Sequence, residues 1–328
     1  MLKNVRISTK VFAGFGVILA LLLVLSLVGG TSLNTAGGYF TDYRAAALQR
    51  NAINRVMIAM QRVRVNVRNY IIQPGDEVAK RTEERLAEME KEIAATVDLY
   101  RSRADLIERV RGIEERGKQF HLLFEEVVKH QRAADAVLHD TLEKVGPAAE
   151  HELAGLIKSG TRENLIDEMY YGGMALRHIL LARLEARKLL ASGDPANFAQ
   201  GNKELAELNG FILKLDKAME SESRKAKLAK VREAVTVYAK GLGDLNLSIQ
   251  ARDEAYKVKM TALGNEMVKT GDDLTGTLRD FQDALGPKAQ AAITAAVTTT
   301  IVVALIAIAI GILAAWFIGM GISRPVVA

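Results

Sequence analysis

Residues 53–71 read INRVMIAMQRVRVNVRNYI. Ile53, Met57, Met60, Arg64, Val67 and Ile71 follow one another in steps of four and three. That is the spacing of an α-helix packed along one face in a bundle. The same steps return at Leu176, Leu180, Arg183, Arg187 and Leu190. Each predicted seam therefore carries arginine where an apolar side chain is expected. A guanidinium cannot be deprotonated in a protein, and burying one unpaired is strongly unfavourable. The chain has to supply an anion, either a carboxylate of its own or a ligand.

Composition narrows the fold. The 328 residues include no Cys, five Pro and 5% aromatics, so disulfides and thiolate metal sites are excluded. Ala, Leu, Glu, Lys and Arg dominate the middle of the chain, which favours long helices and an all-α fold. The net charge of +5 comes without a basic block interleaved with aromatics, so nucleic acid is not an expected partner. His121, His130, His139, His151 and His178 never sit three residues after a Glu, so the di-iron bundle motif is missing. HExxH and a Gly-rich phosphate loop are missing too. The reading is of a protein that is not an enzyme, with no catalytic residues, no metal and no cofactor.

Two uncharged apolar runs frame the chain. Val11–Gly30 is about as long as a bilayer span, and Ala289–Ile322 is longer than a span needs. The first is long for a signal peptide and is followed by no clean A-x-A site. Lys3, Arg6 and Lys10 precede the first run and Arg324 follows the second, which puts both termini in the cytoplasm by the positive-inside rule. Trp316 suits an interface anchor. The expected divisions are a cytoplasmic N-terminus (1–10), a first transmembrane helix (11–31), an extracytoplasmic domain (32–288), a second transmembrane helix (289–322) and a short linker (323–328).

Turn signals cut the outer domain into six helices, roughly 33–73, 77–101, 105–157, 162–192, 196–220 and 224–285. The breaks are Gln73-Pro74-Gly75-Asp76, the region of Ser102, Ser159-Gly160-Thr161, Ser192-Gly193-Asp194-Pro195 and the region of Ser221. Asp76, Thr161 and Asp194 are candidate N-caps, with Pro195 at the first helical position. Helices three and six are about 80–90 Å long at 1.5 Å per residue, and the others are shorter. Short loops make neighbours antiparallel. The long helices then run through two stacked four-helix bundles. The proximal module is approximately 32–130 plus 253–288, and the distal module approximately 131–252.

An internal repeat supports two modules. Arg64–Asp76 reads RVNVRNYIIQPGD and Arg183–Asp194 reads RLEARKLLASGD, with a one-residue slip. The long helices carry the seams Leu106, Val110, Ile113, Gly117, Phe120, Phe124, Val127, Gln131, Ala134, Leu138 and Leu228, Val231, Val235, Tyr238, Leu242, Leu245, Ile249, Arg252, Tyr256. Each turns polar about halfway. Gln131 and Arg252 fall at one height, as a candidate polar layer where the modules meet.

The arginines have two readings. They can snorkel or pair with Glu and Asp on neighbouring helices, Glu185 being near in sequence. Alternatively, arginines at i and i+4 share a helix face about 6 Å apart and can hold a carboxylate bidentately. Tyr70 adds a hydroxyl near the first pair.

The order of short basic N-terminus, span, helical outer domain, second span and Ile322-Ser323-Arg324-Pro325-Val326 resembles a bacterial transmembrane sensor at the entry to a HAMP linker. With the repeated Arg-x3-Arg…Gly-Asp motif and the six-helix length pattern, the outer domain resembles the helical bimodular sensor region of methyl-accepting chemotaxis proteins. That resemblance implies a homodimer in the bacterial inner membrane with a periplasmic sensor domain that binds small carboxylates. It implies ligand-binding roles for Arg64 and Arg68 in the proximal module, with Tyr70 nearby, and for Arg183 and Arg187 in the distal module. Arg252 would reach either site or only the junction. Signalling would pass through helix six to cytoplasmic chemotaxis proteins, by way of an output region that these 328 residues do not include. The alternatives are the input region of a sensor histidine kinase, a receptor whose outer domain binds a periplasmic protein, and an inert structural stalk.

Overall fold

The computed structural model describes the backbone of residues 7–326 and the side chains of residues 8, 9 and 11–316. Every element among them is helical: α1 (Ile7–Ile72), α2 (Asp76–Leu99), α3 (Ile107–Ala136), α4 (Glu143–Glu163), α5 (Ile166–Ser192), α6 (Pro195–Ala218), α7 (Glu222–Asp253) and α8 (Thr261–Val326). Val137–Leu142 joins α3 to α4, and Glu254–Met260 joins α7 to α8, each as a π-helical segment without a break in the rod. The eight helices thus make six rods, two of them long and shared. The charges of Lys3 and Arg6, and the side chains of Lys10, Arg324 and the remainder of 322–326, lie outside the described residues.

The chain divides into two compact units, Met1–Asn54 with Gly271–Ala328, and Arg55–Thr270. In the first, both chain ends form helices long and apolar enough to cross a membrane, and neither apolar window is buried within the chain. Phe12, Leu19, Leu27, Ile301, Leu305 and Trp316 are exposed, as lipid-facing side chains would be. Deeper along these helices, Gln282 Nε2 donates to the Tyr43 carbonyl at 3.3 Å. The helix runs on through Gly286 and Pro287.

The second unit packs four helices at each level. One level holds the 55–72 part of α1, α2, α3 and the π segment leading into α8, joined by contacts such as Arg55–Glu92, Tyr70–Phe124 and Gly264 against Met60, and the next holds α4, α5, α6 and α7. Every residue of the predicted third-helix seam is buried, from Leu106 to Leu138. The sixth-helix seam is buried from Leu228 to Arg252. Tyr256 is only half-buried, because the π segment shifts the inward positions to Ala255 and then Met260, a step of five.

The two arginine seams need correction. On α1 the buried line is Ile53, Val56, Met60, Val63, Val67, Tyr70, and on α5 it is Ala175, Ile179, Ala182, Ala186, Leu189. On α5 every buried position lies one residue before the line drawn from sequence; on α1 the two lines share Ile53, Met60 and Val67 and differ at the other positions, and no arginine belongs to either buried line. Neighbouring residues differ by only about 100° around a helix, and both flanks of α1 are apolar here. On α5 the small residues win, because Ala and Gly let α5 and α6 approach closely. A Cβ on Gly201 of α6 would come within 3.0 Å of Leu242 and 3.6 Å of Glu185.

The hairpin between α4 and α5 also differs. Thr161 is no N-cap: its hydroxyl bonds back to the Ile157 carbonyl at 2.8 Å inside α4. Gly160 is buried because a Cβ there would meet Met169 at 3.3 Å. The turn comes at Asn164, in the left-handed region at φ 56°, with Leu165 N–H bonded to Gly160 C=O at 2.8 Å, the Schellman ending of a helix. Asp76 opens α2 with Gly75 as the capping residue. Asp194 does cap α6, accepting from Ala196 N–H at 2.8 Å, with Pro195 at the first position.

His121 ties α3 to α2. Its Nδ1 lies 2.8 Å from Glu90 Oε1 and its Nε2 2.7 Å from Glu83 Oε2. A neutral imidazole has one N–H to donate, and two carboxylates need two. Burial disfavours the charged ring, and the two glutamates outweigh burial, so its pKa is held above the ordinary histidine value.

Two tests follow from the packing. In residues 32–286, Ala182→Leu should lower unfolding free energy by about 1–3 kcal/mol through overpacking. Leu184→Ala, on the exposed flank, should stay within about 0.5 kcal/mol; urea unfolding by circular dichroism distinguishes them. The His121 contribution is fully present below the unfolded pKa of about 6.5 and is lost as pH rises through the higher folded value. The stability advantage of wild type over His121→Gln should therefore be larger near about pH 6 than near about pH 9, and an equal advantage at both would exclude the linkage.

Candidate ligand-binding site

The flanking arginines have different surroundings in the two modules. In the distal one, Arg183 is half-buried on α5 and pairs through Nη1 with Glu150 of α4. Gly146 makes room for it, since a Cβ there would lie 2.8 Å from Arg183 Cδ. Arg187 is exposed and its Nη2 reaches Glu143 Oε1 at 2.8 Å. Glu143 also binds His139 Nδ1 at 2.7 Å, and His139 followed by Arg187 holds its carboxyl below the usual range. Tyr238 lies buried beside this group, its phenol pushed up by burial against the opposing charges of Arg183 and Arg187. Glu185, the sequence candidate for pairing, turns instead to Lys188 at 2.7 Å. Glu143 and Glu150 gave no signal in the sequence, where they look like any two solvated glutamates on an amphipathic helix.

In the proximal module Arg64 is half-buried and has no ion pair among the described residues. Its Nη2 lies 3.4 Å from Asn265 Oδ1, a long contact that leaves most of the guanidinium's donors unused. It lines a cavity of about 70 Å³ with Val67, Phe120, Tyr256, Met260 and Thr261. One wall is therefore the π segment, and Thr261 Oγ1 bonds to the Tyr256 carbonyl five residues back at 3.2 Å. π-Helical turns are frequent at functional sites. Arg68, one turn further, is exposed and is not among the residues lining this cavity.

Tyr70 does not join Arg64 and Arg68. It is buried with its ring edge-on to Phe124 at 5.6 Å. Burial raises its pKa, with Arg132, Asp135, Asp76 and Arg252 as the charges around it. Those groups belong to the junction. There Arg252, 4% exposed, donates through Nη1 to Gln131 Oε1 at 2.7 Å. Its Nε and Nη2 both reach Asp253 Oδ1, at 2.8 and 2.7 Å. Gln131 in turn donates to Asp135 at 3.0 Å. The polar layer expected from the sequence is thus present, and Asp253 is the partner the sequence reading missed.

A further buried pair escaped the sequence reading. His178 Nδ1 and Glu204 Oε2 are 2.7 Å apart between α5 and α6, with Gln200 on the other carboxylate oxygen and Phe211 stacked on the ring. It is fully answered from within the bundle. No group of three or more His, Asp or Glu placed to hold a metal occurs among the described residues.

Comparison with known proteins adds a partial identification. No curated protein matches the chain. The family model described as "Tar ligand binding domain homologue" matches residues 1–134, the stretch from the first apolar run through α1, α2 and most of α3. That stretch, which includes Arg64, is similar to a non-catalytic sensory module of the chemoreceptor type.

Proposed function

We propose that this chain is the sensing part of a chemoreceptor-type protein in a bacterial inner membrane, and that it binds a small organic carboxylate at the Arg64 cavity on the periplasmic side. The observation that carries the reading is Arg64 itself: a half-buried guanidinium in a cavity, with an amide oxygen at 3.4 Å and, among the described residues, no carboxylate to answer it. Tyr256 and Thr261 supply hydroxyls, and Val67, Phe120 and Met260 suit the carbon skeleton of a small acid. A ligand that prefers one packing of this wall biases the long α7–α8 rod by its differential affinity alone. That rod continues into the second span and on towards a cytoplasmic output.

A homodimer fits the surface of α1. Ile58, Val65 and Ile72, spaced by seven, are 54%, 57% and 70% exposed, an unpartnered apolar stripe on the helix that the family match covers. The distal module favours another reading. Its arginines are already paired, as expected of a domain that does not take a small anion there. Arg183 and Arg187 become ligand groups only by exchanging Glu150 and Glu143 for the ligand's carboxylate.

Calorimetry of residues 32–286 with mono-, di- and tricarboxylic acids tests this. Arg64→Ala should weaken binding by about 10–100-fold, the worth of a charged hydrogen-bond set. Arg183→Ala should leave affinity within about twofold while costing about 1–3 kcal/mol of stability by stranding Glu150. Absence of heat with every acid, or unchanged affinity in Arg64→Ala, overturns the assignment.

A further inference from the structure

We infer that the π segment Glu254–Met260 couples the two modules, because it is held at its start by the tip of the distal α5–α6 hairpin and forms the wall of the Arg64 cavity at its end. The inference rests on the Arg64 cavity being the ligand site.

The upper contact begins at Gly193, which closes α5 in the left-handed conformation at φ 68° with its N–H on Leu189 C=O at 2.8 Å. A Cβ here would lie 2.6 Å from Asp253 Oδ2 and 3.0 Å from Arg252 Nη2. The hairpin tip therefore rests directly on the Arg252–Asp253 pair. Asp253 is the last residue of α7, and its other oxygen takes Lys257 Nζ from within the π segment at 2.6 Å. The charge that Arg252 needs is thus shared with the first turn of the π segment.

The lower contact is the cavity. Tyr256, Met260 and Thr261 line it, and Gly264 just below would place a Cβ 3.0 Å from Met60 and 3.8 Å from Arg64 Cδ. Between the contacts the inward positions advance from Ala255 to Met260 by five. A π turn has longer hydrogen-bond loops than the α-helix on either side and can revert to α by passing its extra residue along the rod. Moving that slip re-aims Tyr256 and Met260 at one end and disturbs Asp253 at the other. Packed interfaces of this kind switch between discrete arrangements instead of deforming smoothly, and coupling between two such sites is reciprocal.

Hydrogen exchange followed by mass spectrometry, on the full chain in lipid nanodiscs and without ligand, tests the coupling. Gly193→Val forces a side chain into Asp253, and Asp253→Asn removes the shared charge while leaving the hairpin backbone alone. Each should speed exchange across 254–262 at least about fivefold relative to 86–96 in α2. Gly210→Ala, with open space around it, should change neither. Faster exchange confined to 189–200, or a rise of equal size throughout the bundle in Asp253→Asn, overturns the inference. Because no ligand is present, that failure is separate from failure of the carboxylate reading, which shows only in calorimetry.

Discussion

Arg252 cannot shed its charge, and it lies at the centre of the helical unit with almost no access to water. Everything near it is arranged to answer that charge. Gln131 approaches from α3, Asp253 turns back from the next position, and Lys257 balances the second carboxylate oxygen. A buried ion pair contributes little net stability over an apolar pair, but it tolerates few alternative arrangements. Here it sets the relative height of the two long rods, because only one register brings Gln131 opposite Arg252. The apolar seams above and below would accept a slip of one turn far more readily than this layer would.

The same electrostatic demand is met differently at each remaining arginine near the seams. Arg183 and Arg187 lie against α4 and take its glutamates. Arg64 faces a cavity whose lining presents two hydroxyls, a sulfur and aromatic rings but no carboxylate. The two modules are related by an internal repeat, yet the repeat does not extend to these partners. Duplicated arginines therefore do not imply duplicated sites. What distinguishes the modules is the helix that faces each arginine, and that helix comes from elsewhere in the chain.

Two features of the long rods work together. The π segments absorb the mismatch between a helix of 3.6 residues per turn and a seam that must face inward over two bundles. They also place unusual side-chain directions at fixed heights. One follows the junction layer immediately and forms a cavity wall.

Helices, their number, the long shared rods and the runs long and apolar enough to cross a membrane were legible in the sequence, because they rest on periodicity, turn residues and length, which are local properties. The polar layer was legible too, since two long unambiguous seams each turn polar once. The inward face of α5 was not, and that of α1 only in part, through Ile53, Met60 and Val67: both helices offer two adjacent lines, and only the partner helix chooses between them. For α5 the choice fell on Ala175, Ala182 and Ala186, because close approach to α6 excludes Leu180 and Leu184. The α4–α5 turn moved from Ser159–Thr161 to Asn164 for a similar reason, Gly160 being used for packing instead of for the turn. Sequence alone placed the arginines close to the packing faces of α1 and α5. Which of them receive a carboxylate from the chain, and which meets only an amide oxygen, depends on side chains as far off in sequence as Asn265 is from Arg64, and only the tertiary structure brings those into contact.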